Sequence, residues 1–311
     1  MQLAADIDDI PAIFASDELF LDARAGSREW PPDELVIGLA INGQARAYPI
    51  RLLSLHEIVN DVVGGQPVAV TWCPLCYTAI VFNRVVDGRE LTFGVSGYLY
   101  RNNLVMYDHQ TNTFWSQALT QAIRGAQRGR FLEMLPSVLA PWREWQAQYP
   151  HTTILSAEKM GQHADAIIDP YAGYYESNSI GMTSLQNPDD RLNPKSLVIG
   201  LQLGGHIRAY PLESVRKARL INDRLGETNL LLVYDQGFET VLAYNTDSLT
   251  FSLDTQSGFL LDDQTASRWD PKTATAIDGT LKGQTLSRLV SPLVYWFAWA
   301  DIHPDTELYS P

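Results

Sequence analysis

Two cysteines, Cys73 and Cys76, stand in Trp72-Cys73-Pro74-Leu75-Cys76, and the chain has no others. Two intervening residues let both sulfurs face one point, where they can close a small disulfide, exchange with another, or hold a soft metal. A zinc site built from four cysteines is excluded by the count. A site of two cysteines and two histidines would need His56 and His109, whose spacing is not that of a zinc finger. A mixed thiolate, imidazole and thioether set drawn from Cys73, Cys76, His56, His109 and Met106 would suit copper, with zinc as the alternative. Such a protein would handle the metal or use it in redox chemistry.

A metal-free reading uses fewer residues. Cys73 is then the nucleophile, Cys76 the resolving thiol and His56 a nearby group that moves a proton. Trp-Cys-Pro-x-Cys after a strand is like an oxidoreductase dithiol, yet residues 78–82 read as strand, so no long helix starts at either cysteine to lower its pKa. No βαβ thioredoxin pattern surrounds the pair. A third reading is a non-enzymatic binding module with aromatic clefts, in which the cysteines only clamp a hairpin. Whether the chain is an enzyme stays open between these readings. It has no phosphate loop, dinucleotide fingerprint or His-Glu-x-x-His, and Trp115-Ser116-Gln117 lacks the elbow of a catalytic serine.

The elements around the pair are short and β-rich. Residues 34–51 read as strand, Asn42-Gly43 turn, strand. Residues 52–63 read as a helix, with Ser54 as a cap and Leu55, Ile58 and Val59 on one face. A hairpin follows around Asp87-Gly88, and residues 1–30 read as an irregular arm.

The text then repeats. Residues 198–212 echo 36–50 at an offset of 162, and Asn222-Asp223 echo Asn60-Asp61 at the same offset. Asp262, Trp269, Trp296 and Trp299 answer Asp108, Trp115, Trp142 and Trp145 at an offset of 154. This predicts a tandem duplication of one small sheet or barrel-like domain, mainly β with short helices, a β-rich α+β fold. The boundaries are an N-terminal arm over 1–33, a first repeat over 34–156, a linker over 157–195 and a second repeat over 196–311. Residues kept in both copies serve the shared fold. The chemistry-bearing ones are not kept: Cys73 falls opposite Asp235, Cys76 opposite Phe238, His56 opposite Ala218, Met106 opposite Leu260 and His109 opposite Asp263. The pattern predicts one active site, in the first copy, with the second copy a degenerate structural partner.

Formal charge is −13 with no basic tract, which argues against nucleic acid and leaves a small molecule or a metal ion as the expected partner. No apolar run approaches the roughly 20 residues of a membrane span, and the acidic N-terminus is unlike a signal peptide.

The phrases Thr71-Trp-Cys-Pro-Leu-Cys76, residues 91–97, Asn103-Leu-Val-Met-Tyr-Asp108, Phe114-Trp-Ser-Gln117 and Leu135-Pro136 resemble a bacterial and archaeal family of unknown function, DUF3179. The resemblance covers most of the chain, more weakly over the second copy. It places Cys73, Cys76, Met106 and Trp115 inside the shared phrases and implies an extracytoplasmic location. It carries no reaction.

Overall fold

A computed structural model describes all residues, 1–311. Small open sheets and short helices make up the chain, and no barrel closes. The helices are α1 (Ala23–Glu29), α2 (Ile50–His56), α3 (Trp142–Gln148), α4 (Ala172–Glu176), α5 (Leu212–Ala218) and α6 (Trp296–Ile302). Two compact units form: residues 1–195 with 294–304, and residues 196–293 with 305–311. The stretch expected to be a linker and the helix ending the second copy thus both belong to the first unit.

In the first unit, Leu35–Ile41 and Gln44–Pro49 form a hairpin across Asn42-Gly43. Both turn residues have positive φ, 48° and 82°, as a type I′ turn requires. A second sheet orders Met134–Leu135, Thr78–Asn83, Gln66–Cys73, Ile58–Val63 and Ile13–Phe14. A third carries Phe93–Tyr100, Asn103–Asp108 and Phe114–Ser116. The N-terminal arm is more regular than its composition suggests: Asp22 caps α1 by accepting from the Ala25 amide at 2.8 Å, and Phe20–Asp22 pairs with Thr153–Leu155.

The helix expected over 52–63 is cut in two. α2 ends at His56, Glu57 turns left-handed at φ 55°, and Ile58–Val63 is a strand paired with Gln66–Cys73. Ile58, Val59, Val62 and Val63 are β-branched and favour the strand. Asn60 adds a specific reason: its side chain accepts from the Phe93 amide at 2.7 Å and donates to the Phe93 carbonyl at 2.8 Å. Ser54 caps nothing; its hydroxyl bonds Asp169 at 3.0 Å.

The second unit repeats this order through Leu197–Leu203, His206–Pro211, α5, Leu220–Leu225, Thr228–Asp235 and Thr240–Asn245. The shared residues explain the shared text. Arg46 and Tyr48, two apart on one strand face, converge on Asp61 at 2.7 and 2.6 Å; Arg208 and Tyr210 converge on Asp223 at 2.6 and 2.8 Å. Asn222 brackets Phe251 as Asn60 brackets Phe93. The indole of Trp115 donates to Asp108 at 2.9 Å and that of Trp269 to Asp262 at 3.0 Å. Each of these rings meets a phenylalanine edge-on, Phe93 or Phe251. Gly38 is needed for a different reason: a Cβ there would fall 2.3 Å from the Trp145 ring that α3 lays across it.

Candidate functional site

Cys73 ends one strand and Thr78 opens the next, and the two pair across the turn that holds Cys76. The Cys76 amide bonds the Cys73 carbonyl and the Tyr77 amide bonds the Pro74 carbonyl, both at 3.2 Å. Tyr77 then reverses the chain with φ 53°. This winds residues 73–77 into a tight coil. Cys73 and Cys76 are buried, 2% and 0% exposed, with no disulfide between them, and lie close enough for Cys73 to act on the Cys76 thiol.

Cys76 is the more enclosed thiol. It donates to the Asn102 carbonyl at 3.2 Å and receives the Asn103 amide at 3.4 Å. Asn103 also donates to Gln117, which donates to the Thr71 hydroxyl at 2.9 Å, so a fully buried polar chain runs from sulfur to sheet. Burial pushes the Cys76 thiol well above its ordinary pKa; the hydrogen bond and charge of Cys73 push the same way, Asn103 opposes them, and Glu57 adds to the rise.

Glu57 is the unforeseen member. Its left-handed backbone lets its carbonyl accept the Trp72 amide at 2.8 Å, tying it beside the strand that ends in Cys73. The side chain is buried, makes no hydrogen bond or ion pair, and is pushed up to about 8 by burial alone. Its charge is felt at both Cys76 and Tyr171. A buried, unpaired carboxyl with its pKa raised toward neutrality is a feature often found at functional sites.

Residues 169–183 form a strap over the turn. Tyr174 donates to the Leu75 carbonyl at 2.9 Å and accepts from the Gly181 amide at 2.9 Å. Asn102 accepts from the Met182 and Thr183 amides at 2.7 and 2.6 Å and donates to the Thr183 carbonyl at 2.9 Å. Gly181 has φ 57° and approaches Asn102 so closely that a Cβ would lie 2.4 Å from its side chain. Beside the strap, a cleft of about 370 Å³ opens between Glu34, Arg51, Tyr77, Asp169 and Tyr175. Tyr77 stacks edge-on with Trp72 and Tyr175, and packs against Tyr295.

Of the residues read from the sequence, only Cys73 and Cys76 meet. His56 bonds the Pro11 carbonyl through Nδ1 at 2.7 Å and approaches the Gln162 amide through Nε2, so both ring nitrogens are turned to the N-terminal segment and residue 162. His109 is exposed on a turn, bonded to Thr92 and packed against Phe14 and Tyr107. Met106 is fully buried in its strand, in register with Val95 on one side and Trp115 on the other. No three or more His, Cys, Asp and Glu side chains gather in ligand range anywhere in the chain. The donor set suited to copper or zinc therefore does not assemble around the thiols. The carboxyl that acts on the pair is Glu57, a residue the sequence reading did not single out. It was findable: at the offset of 162 it falls opposite Arg219, a charge reversal beside the cysteine losses.

Neither a curated protein nor a solved structure matches the chain. A family model described as "Protein of unknown function (DUF3179)" matches residues 7–306, nearly the whole length, and the chain belongs to that family.

Proposed function

We propose that the first unit is a metal-free dithiol oxidoreductase, with Cys73 as nucleophile, Cys76 as resolving thiol and Glu57 as the acid–base group. The observation that carries this reading is the pairing of two buried free thiols with a buried carboxyl that has no partner of its own. In the oxidising half-reaction, the Cys73 thiolate attacks one sulfur of a substrate disulfide, and the other sulfur leaves as a thiolate and takes up a proton. Glu57 then accepts the Cys76 proton, Cys76 attacks the Cys73 sulfur, and the second substrate thiol departs. The chain ends with an intramolecular disulfide and the substrate with two thiols. The reverse sequence oxidises a dithiol substrate.

Substrate reaches the pair when the strap lifts, and the cleft at Tyr77 and Tyr175 supplies a place to dock first. An extracytoplasmic setting, implied by the family resemblance, would supply disulfide substrates.

The test is equilibration of the full chain in glutathione buffers of stepped redox poise, followed by alkylation and intact mass. Reversible two-electron conversion between two thiols and one disulfide is expected. A pair that stays reduced or stays oxidised across the series would overturn the reading. So would stoichiometric copper or zinc in protein purified without chelator and lost in a C73S/C76S variant.

A further inference from the structure

The second unit has lost the dithiol but kept its backbone. Arg219 repeats the left-handed turn of Glu57 at φ 68°, and its carbonyl accepts the Tyr234 amide at 2.9 Å as that of Glu57 accepts the Trp72 amide. Glu239 repeats the left-handed Tyr77 at φ 55°. Between α5 and the turn that answers the dithiol turn, the second unit opens a cleft of about 670 Å³, walled by Arg216, Lys217, Arg219, Tyr234, Gln236 and two glutamates.

The charges there are not self-satisfied. Arg216 is held by Glu213 in a two-point pair at 2.8 Å, and Glu213 also attracts Lys217, so three cations share two carboxylates at the cleft. The Arg219 guanidinium makes no hydrogen bond or ion pair, and its Nε is buried without a partner. A guanidinium donor withdrawn from water and left unpaired is costly, and a planar fork of donors matches a carboxylate or phosphate. In a chain of net charge −13, three cations within four positions on the rim of one cleft are also out of pattern.

From this geometry we infer that the second unit binds a small oxyanion, a phosphate or carboxylate group, with Arg219 as its anchor and Lys217, Tyr234 and Gln236 as further donors. The site does not depend on the dithiol chemistry of the first unit. It recasts the second copy as a ligand-binding module rather than a vestige.

The experiment titrates the full chain with inorganic phosphate and, separately, with malonate, at constant ionic strength in chloride, reading heat of binding and Tm. Saturable binding of either probe, weakened about tenfold or more in R219Q and unchanged in R224Q, is expected. Arg224 pairs with the exposed Glu227 away from the cleft and serves as the control. Binding of phosphate alone names phosphorylated ligands; binding of malonate names carboxylates. Because R219Q removes an unpaired charge, its Tm without anion is expected to equal or exceed that of the unsubstituted chain, so loss of binding is not confused with loss of fold. If R219Q does fail to fold, R219K is titrated instead, and loss of the two-point fork weakens binding. Absence of saturable binding by both probes, or equal binding in R219Q, would overturn the inference.

Discussion

The turn at residues 73–77 and its counterpart at 235–239 join equivalent strands and differ in chemistry: backbone bonds close the first, and the Asp235 carboxylate takes the Phe238 amide in the second. Both follow a left-handed residue at the end of a seven-residue helix, Glu57 or Arg219, and both close with a left-handed residue before the next strand, Tyr77 or Glu239. The first presents two thiols under a strap; the second presents Asp235, Phe238 and a cationic cleft. The comparison separates what the fold requires from what chemistry requires. The Arg-Tyr-Asp cluster, the Asn bracket and the Trp–Asp bond recur because the sheets need them. Cysteine, Glu57 and Gln117 do not recur, so sheet formation does not demand them.

The largest effect should come from the thiols. C73S or C76S should lower disulfide turnover by roughly a thousandfold, while D235A and F238A leave it near the unsubstituted rate; equal losses from both sides would remove the distinction between the copies. Next comes the duplicated ion pair. Arg46 and Asp61 are nearly buried, with side chains 3% and 2% exposed, whereas Arg208 and Asp223 are 20% and 21% exposed. R46A strands a buried carboxylate and should cost about 3–5 kcal/mol in urea unfolding. R208A, with water to take up the charge, should cost about 1 kcal/mol.

E57Q should lower turnover by roughly a hundredfold and remove the limb of the pH profile that rises toward about 8. It carries a second signature. Glu57 holds its proton up to about pH 8 in the folded chain but releases it near 4.5 when unfolded. The unfolded state therefore binds fewer protons between those values, and stability falls as pH rises across that window. E57Q should flatten this slope and be the more stable protein at pH 8; an unchanged slope would remove Glu57 from the account. The smallest effect belongs to the strap. Y174F loses the bonds to Leu75 and Gly181, and should speed alkylation of the thiols several-fold, by roughly 1 kcal/mol of local opening.

Much of the fold was legible because its signals are local or repeated. Asn42-Gly43 and Asp87-Gly88 specify turns through backbone freedom, and recurrence at 162 and 154 exposed Asn60, Asp61, Asp108 and Trp115 as framework. The helix over 52–63 misled because apolar residues at helical spacing also suit a buried strand, and what decides between them is Asn60 reaching Phe93, 33 residues away. The site was half legible. A cysteine pair names its own chemistry, but its environment comes from Glu57, Asn103, Gln117 and Tyr174, scattered polar residues whose meeting depends on tertiary packing. His56 and Glu57 are neighbours in the chain, yet the left-handed turn after α2 separates their surroundings: the Glu57 charge acts on Cys76 while the His56 ring bonds Pro11.

The central claim is that Cys73 attacks and Cys76 resolves. The most direct measurement incubates C76S and C73S separately with oxidised glutathione and maps adducts by peptide mass spectrometry. A stable mixed disulfide is expected at Cys73 in C76S, with little or none at Cys76 in C73S, because burial holds that thiol protonated. No adduct in C76S, or equal adducts in both variants, would contradict it.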